Sequence, residues 1–568
     1  MSRRRWGKPE YHLCVPFASS LRARAASRQW FVVAALIGAI LVTVLTYPTV
    51  PKMGSVGRLD SGDGRFSIWN VAWVAHALVT DPRHVLDANI FYPHTGTLSY
   101  SELNLVAGVL GAPAYVVTRN PLAATNSAVA LALWLAFVCM WALVRRLTGS
   151  PLAGLISATA YTFCPYLLSH TAHIQLLMAF VVPLNFLALH RLIDHPTWWR
   201  GVQLGLAVGV GGLACGYYGI YGGVAVGLAA LWFNQRRAGY WRALVLAVAT
   251  AGVLVGPILI AFKDARAAVG GGPAITISSL ATYSAEPIDF LVSGASAHAL
   301  WQPTFSGRDP LFPGVVALVL AVLAVIAMLR GFRQSVTPWT VAGYGVVAVF
   351  SAVAALGPKA WLYAALFHLI PAIDLLRAPS RFGLVTVFAV AVLAGVGASS
   401  IRQRRWVAVA LLAMVAAETG AQSARWGWPS WPLTERAPMP RAYQVLASLP
   451  HGAVVEYPFP YKSTDFHSHS KAMLMSAFHL QPLVNGYSDV IPPDFYDIAL
   501  PINAFPSAES FQIMQKYGVR YVVWRIDTYD TSSRATLEAR FPPFMKYLKP
   551  IVQDEDVWLF EITGFPPA

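Results

Sequence analysis

WFVVAALIGAILVTVLTY, residues 30–47, is the stretch that decides the fold class. It carries no charged side chain and comes close to the ~20 residues a helix needs to cross a bilayer. Arg3, Arg4, Arg5, Lys8, Arg22, Arg24 and Arg28 precede it. Cytoplasmic flanks collect Lys and Arg, so the N-terminus reads as cytoplasmic and the chain after Tyr47 as external. No small-residue cleavage signal follows the run, which reads as a retained helix. The rest of the chain agrees. At 568 residues, 56% hydrophobic, 12% charged and mean hydropathy +0.52, it is too apolar for one soluble core. The net charge of +15 would point to nucleic acid in a soluble protein, but here the basic residues punctuate apolar runs and serve orientation. Cys14, Cys139, Cys164 and Cys215 all precede the C-terminal polar region, so no disulfide framework supports it.

Ten further apolar runs are expected as spans: 123–144, 151–166, 174–190, 201–218, 219–233, 243–262, 311–329, 337–355, 382–400 and 406–420. Eleven spans put Arg145/Arg146, Arg191/Arg200, Arg236/Arg237/Arg242, Arg330/Arg333 and Arg402/Arg404/Arg405 on the cytoplasmic side, as the charge rule requires. This holds if the shorter runs 104–117 and 361–373 are interfacial or re-entrant. The odd count leaves the C-terminus outside. The organisation is then a basic cytoplasmic tail (1–29), a membrane module (30–421) with external loops at 48–120 and 263–309, and an extracytoplasmic domain (422–568). In that domain 453–457, 520–525 and 557–562 read as strands and 441–449 and 507–517 as helices, giving a small mixed α/β fold. Long external connections beside short cytoplasmic ones place the functional machinery outside. No internal repeat points to a pseudo-symmetric transporter.

The first external loop opens with Gly57-Arg58-Leu59-Asp60-Ser61-Gly62-Asp63-Gly64-Arg65, followed by Trp69 and Trp73 on an interfacial helix. Acidic residues in a Gly-rich loop at the outer face fit a reaction site for a lipid-held substrate; they equally fit a tight polar turn. Arg377 and Arg381 stand four apart around Pro379, on a bend that presents two guanidinium forks to the headgroup layer. Their plainer use is binding ordinary lipid or Asp374. Arg65 is a further cation for a phosphate.

With Asp63-Gly64-Arg65-Phe66-Ser67-Ile68-Trp69-Asn70, Phe91-Tyr92-Pro93-His94, Tyr100-Ser101-Glu102, His173-Ile174-Gln175 and Arg377-Ala378-Pro379-Ser380-Arg381-Phe382, the chain resembles the C superfamily of glycosyltransferases, and within it a large bacterial polytopic group. Those are integral membrane enzymes that use polyprenyl-phosphate-linked sugars. The resemblance spans nearly the whole chain. It implies a multi-pass inner-membrane enzyme that transfers a sugar, with inversion, from such a donor to an extracytoplasmic glycan, lipid or protein acceptor. It also implies that an acidic residue of the first external loop is the base, a position held by Asp63 with Asp60 beside it. A carboxylate with a reference pKa of ~3.9 is a weak base, so burial or the like charge of Asp60 is expected to raise it. The alternative is that Asp60 and Asp63 hold a divalent metal; otherwise no cofactor is required. Arg377, Arg381 and Arg65 are the expected phosphate ligands.

Other polar residues each carry two readings. His170 and His173 orient a sugar or assist proton transfer, or are idle interfacial histidines. Glu102 binds substrate or caps a helix. Tyr217 and Tyr218 stack on a sugar or belong to the aromatic belt. Glu286 and Asp289 flank Pro287 as an acceptor-site pair, His467 and His469 lack the further ligands of a zinc site, and Asn485-Gly486-Tyr487 is a turn that either tips into the site or does not. The second function class is a non-catalytic or lipid-linked-sugar translocating protein of envelope assembly. The scarcity of midspan charge disfavours translocation, with Glu418 near the outer end of the last span. Cytoplasmic loops too short for a Rossmann domain disfavour a nucleotide-sugar donor.

Overall fold

Five helices of the membrane module, those beginning at Gly62, Pro121, Pro151, Trp198 and Pro338, start just after a residue whose side chain caps them. A computed structural model describes residues 17–235, 237–270, 275–300, 308–331, 336–401, 405–420 and 433–567. Helix α1 (Phe17–Leu45) is followed by the two-residue strand β1 (Val56–Gly57), then α2 (Gly62–Thr80) and α3 (Leu105–Thr118). The Asn120 side chain caps α4 (Pro121–Thr148), with Pro121 in the first turn and Gly149 ending the helix at φ 72°. Ser150 caps α5 (Pro151–Thr162). Short helices α6 (Pro165–Ser169) and α7 (Ile174–Leu177) lead into α8 (Val181–Asp194). The chain then runs through α9 (Trp198–Ala214), α10 (Gly216–Trp232), α11 (Ala238–Ala268), α12 (Val315–Leu329), α13 (Pro338–Ala355), α14 (Trp361–Leu369), α15 (Gly383–Ser400) and α16 (Arg405–Gly420).

The structure is mostly helical, and each run expected to span is largely helical, with breaks at 163–164, 178–180 and 215 and a non-helical start at 311–314. Among the described residues seven stretches are long and apolar enough to cross a membrane: Arg28–Leu45, Pro121–Thr148, Pro151–Ser169, Ile174–Asp194, Ala238–Ala268, Pro338–Ala355 and Pro379–Ser400. The helices at the other four expected spans are 15 to 17 residues long, at or below the lower end of the length that crosses a bilayer. The expected break at 218/219 falls instead at Cys215, between α9 and α10. Helix α15 is the hub of the bundle. Nearly all its side chains are buried against α4, α5, α12 and α13, and Ser157 of α5 donates a 2.6 Å hydrogen bond to the Ala391 carbonyl. A Cβ on Gly397 would collide with the Leu320 backbone oxygen, so the α12–α15 approach requires glycine there.

The C-terminal region is mixed α/β, as its composition implies. The two-residue strand β2 (Thr434–Glu435) pairs antiparallel with β1. After α17 (Arg441–Leu446) come β3 (Ala453–Tyr457), α18 (Ser470–His479), α19 (Pro493–Asn503), α20 (Ala508–Lys516), β4 (Val519–Arg525), α21 (Thr531–Glu538), β5 (Leu548–Gln553) and β6 (Val557–Ile562). The sheet order is β3-β4-β6-β5, with β3 and β4 parallel and the other pairs antiparallel. Sequence periodicity misses β5 because Lys549, Pro550 and Gln553 lie along it; an outermost strand tolerates them.

The division at 421/422 separates the sequence but not the cores. Tyr92 donates its N–H to the Leu483 carbonyl at 3.0 Å, and Leu483 donates to Asn89 at 2.9 Å. Trp69, Ile90, Phe91 and Tyr100 of the first loop share one apolar core with Val454, Phe495 and Trp524. Packing of α2 on α18 completes the join and carries residues 485–489 over the start of α2.

Candidate active site

The acidic motif folds into the start of α2. Ser61 is the N-cap and its hydroxyl accepts from the Gly64 N–H at 3.0 Å, while a Cβ on Gly64 would meet the Arg58 carbonyl. Asp63, in the first turn, therefore points out of the helix start into a cavity of about 260 Å³. Glu102, His173, Gln175, Tyr217, Arg377 and Arg381 face the same space. So do three groups that sequence reading left out or left open: Arg266 from the end of α11, and Tyr487 and Asp489 from the C-terminal domain. Opposite this polar mouth, Val255, Ile258, Leu259 and Phe262 of α11, with Leu213 and Ile220, form an apolar wall.

Arg381 lies with its guanidinium carbon 3.8 Å from the Tyr217 ring centroid, which fixes the plane of the fork. Arg377 pairs with Asp489 at 3.2 Å and stands 5.7 Å from the Tyr283 ring. Asp489 also accepts from the Ser101 hydroxyl at 2.7 Å. Its partner is thus Asp489 and not the nearby Asp374, since the C-terminal domain reaches over the bend. Glu102 sits against the N-terminus of α10, where a Cβ on Gly216 would be 3.8 Å from Oε1. Withdrawal from water raises its carboxyl above the ordinary range, opposed by Arg381.

Asp63 departs from expectation. Its Oδ2 is 3.4 Å from His173 Nε2, and that histidine first, then the fields of Arg377 and Arg381, hold its pKa below the ordinary carboxylate value despite partial desolvation. The expected upward shift is therefore reversed, because cations and not a second carboxylate surround it. Asp60 turns away: Arg58 donates to Oδ1 at 2.9 Å and to Oδ2 at 3.1 Å, and this contact holds its pKa low as well. The pair does not share a ligand position, and among the described residues no group of three or more His, Cys, Asp and Glu is placed to hold a metal.

Four more expectations are redirected. Arg65 is outside the cavity, donating to the Ser470 hydroxyl at 3.1 Å and the Leu59 carbonyl at 2.5 Å, where it staples α2 to α18. Tyr218 is fully buried and donates to the Leu176 carbonyl at 2.7 Å, so it belongs neither to a sugar platform nor to a belt; Tyr217 alone lines the cavity. His170 packs on Tyr166, its Nδ1 2.7 Å from that residue's carbonyl, and burial lowers its pKa to about 4. Glu286 and Asp289 form a capping box tied to Arg308 and Lys359, which is a loop clasp. In the C-terminal domain His469 is buried, bonded to the Pro460 carbonyl and to Asn485. Asn485 also brackets Glu456, accepting its N–H and donating to its carbonyl, and so aims Tyr487 at the cavity. The side chains of Arg266 and Asp489 escaped notice because neither belongs to a local motif.

No family model matches the chain, and no curated protein does. Solved structures that are similar to the chain include three of two proteins. One is the archaeal oligosaccharyltransferase AglB from Archaeoglobus fulgidus, in complex with an inhibitory peptide and a dolichol-phosphate: 13% identical, 92% of this chain and 73% of that one covered, TM-score 0.44. ArnT from Cupriavidus metallidurans in the apo state is 14% identical with 94% and 98% covered at TM-score 0.41. The same protein bound to undecaprenyl phosphate is 14% identical with 95% and 98% covered at TM-score 0.37. These likenesses are distant, and the residues of the cavity carry the functional assignment.

Proposed function

We propose that the chain transfers a sugar from a polyprenyl-phosphate-linked donor to an extracytoplasmic acceptor, with inversion. One observation carries it: a single cavity joins three arginines (Arg266, Arg377 and Arg381), three carboxylates (Asp63, Glu102 and Asp489) and an apolar helix wall. Arg381 and Arg377 bind the phosphate, and the α11 wall takes the first isoprene units. The acceptor hydroxyl oxygen attacks the sugar's anomeric carbon as the bond from that carbon to the phosphate oxygen breaks. The leaving polyprenyl phosphate keeps the electron pair and its charge is met by the arginines. Asp63 takes the acceptor proton, with His173 orienting its carboxylate. A carboxylate held low is a modest base, suited to a transition state in which the bond to phosphate is already largely broken and the acceptor proton has become acidic. Glu102 and Asp489 bind sugar hydroxyls. In this reading the N-terminus is cytoplasmic, the site opens outside, and the protein resides in the inner membrane.

The test is a structure with polyprenyl phosphate bound. The phosphate is expected within hydrogen-bond reach of Arg381; a phosphate seated elsewhere would remove the basis for the assignment. Turnover in EDTA, then with added divalent cation, decides whether Asp63 works alone or with a metal.

A further inference from the structure

A second site of different character lies at the other end of the bundle. The cavity residues His173 and Gln175 lie at the start of α7, and Arg191 lies in the last turn of α8; from Val181 to Arg191 that helix alone rises roughly 15 Å at ~1.5 Å per residue. There α1, α4 and α8 leave a cleft of about 820 Å³ lined by Arg28, Arg145, Arg146, Arg191, Phe31 and Trp141. The size is within the ~300–1,000 Å³ of small-molecule sites.

The charge balance in this cleft is uneven. Arg146 contacts Asp194, and among the described residues Arg28, Arg145 and Arg191 make no ion pair. Arg145 is held in place by the Trp141 ring, 5.1 Å from its guanidinium carbon, and Phe31 meets the same ring edge-on at 6.1 Å between centroids. Trp141 is itself buried and its indole N–H donates to the Pro151 carbonyl at 3.2 Å. Orientation of a span requires only that basic residues lie near its end; it does not require guanidinium groups of three helices to converge on one concave site with an immobilised aromatic floor. Up α1 from the cleft, Phe31, Val32, Leu36 and Ile40 form an exposed apolar strip on a membrane-spanning helix.

We propose that this cleft binds the headgroup phosphate of an anionic diacyl phospholipid, with an acyl chain along the α1 strip. Guanidinium forks match phosphate oxygens in pairs, and basic pockets between spanning helices suit lipid headgroups. The strip selects a lipid over a soluble phosphate, because only a lipid covers both features. This site is independent of the outer cavity and of any reaction there.

Full-length protein in neutral detergent is titrated with phosphatidylglycerol, with phosphatidylcholine and with inorganic phosphate, reading retained lipid by native mass spectrometry and the apparent Kd. Phosphatidylglycerol is expected to bind and phosphatidylcholine not. The R28Q/R145Q/R191Q variant is expected to bind phosphatidylglycerol roughly a hundredfold more weakly, from ~1 kcal/mol per basic residue at a lipid surface. If that variant does not fold, D194N serves: it removes the cleft's one paired carboxylate while keeping every arginine, and binding should tighten. Equal retention of the two lipids, unchanged binding in the triple variant, unchanged or weaker binding in D194N, or full competition by millimolar inorganic phosphate would each overturn the proposal.

Discussion

Replacing Asp63 by Asn separates chemistry from architecture at one position. Its carboxylate stands over half exposed, at 56% of the side-chain surface, and its one close partner is His173 at 3.4 Å. An ion pair that exposed contributes ~0–1 kcal/mol to stability, and loss of the carboxylate's attraction to the N-terminus of α2 costs a further ~0.3–1 kcal/mol. Folding should therefore persist, with a thermal midpoint within a few degrees of the parent. Activity should not. Asn cannot accept the proton of the attacking hydroxyl, and loss of a positioned base costs ~10²- to 10⁴-fold. The structure refines this magnitude. Because His173 and the two arginines hold the Asp63 pKa below 3.8, its thermodynamic pull on a proton is weak, and the loss should fall toward the lower end of that range. The same shift makes the rate of the parent independent of Asp63 ionisation above about pH 5, since a group titrating below 3.8 is fully charged there. The assay is release or transfer of radiolabelled sugar from a polyprenyl phosphosugar in proteoliposomes, run from pH 5 to 8 on both proteins with and without EDTA. Full activity in Asp63→Asn would refute the base assignment and favour a non-catalytic protein. An unfolded Asp63→Asn would refute the claim that the residue is structurally idle.

Arg381→Lys should weaken polyprenyl phosphate binding at least tenfold, from ~1.5–3 kcal/mol for a charge-assisted bond, and Arg377→Lys should weaken it less because Asp489 already holds that fork; equal affinity in both variants and parent would remove the phosphate site. Glu102→Gln tests the raised carboxyl: a folded pKa above 4.5 means the parent loses stability as pH rises through and beyond 4.5, so Gln should match the parent at pH 4 and unfold at a higher temperature at pH 7, and a parent melting higher at pH 7 would contradict it. Gly397→Ala places a methyl against the Leu320 backbone oxygen and should cost ~1–3 kcal/mol in detergent unfolding; a neutral result would mean α12 moves freely against α15. Cysteines at positions 468 and 335 test the topology, with external labelling expected only at 468.

Apolar runs and periodicity located the helices at the expected spans, the acidic loop and three of the four strands of the C-terminal sheet, because each is encoded by residues close to one another in the chain. Local motifs, with the family resemblance they carry, picked out Asp63, Glu102, His173, Tyr217, Arg377 and Arg381, which do line one cavity. Local pattern could not divide neighbours of the same type. Asp60 and Asp63, or Tyr217 and Tyr218, differ only in which way the backbone turns them, and Arg65 is drawn off by Ser470 of a helix that arrives from the far end of the chain. Nor could local pattern bring Tyr487 and Asp489 to the site, since their approach depends on a core shared between the segment from Trp69 to Tyr100 and the C-terminal domain. Apolar burial along one helix is a local property, legible from composition; charge pairing decays over a few ångströms and depends on which distant surfaces meet, so only the tertiary structure decided the partners and hence the sign of the shift at Asp63.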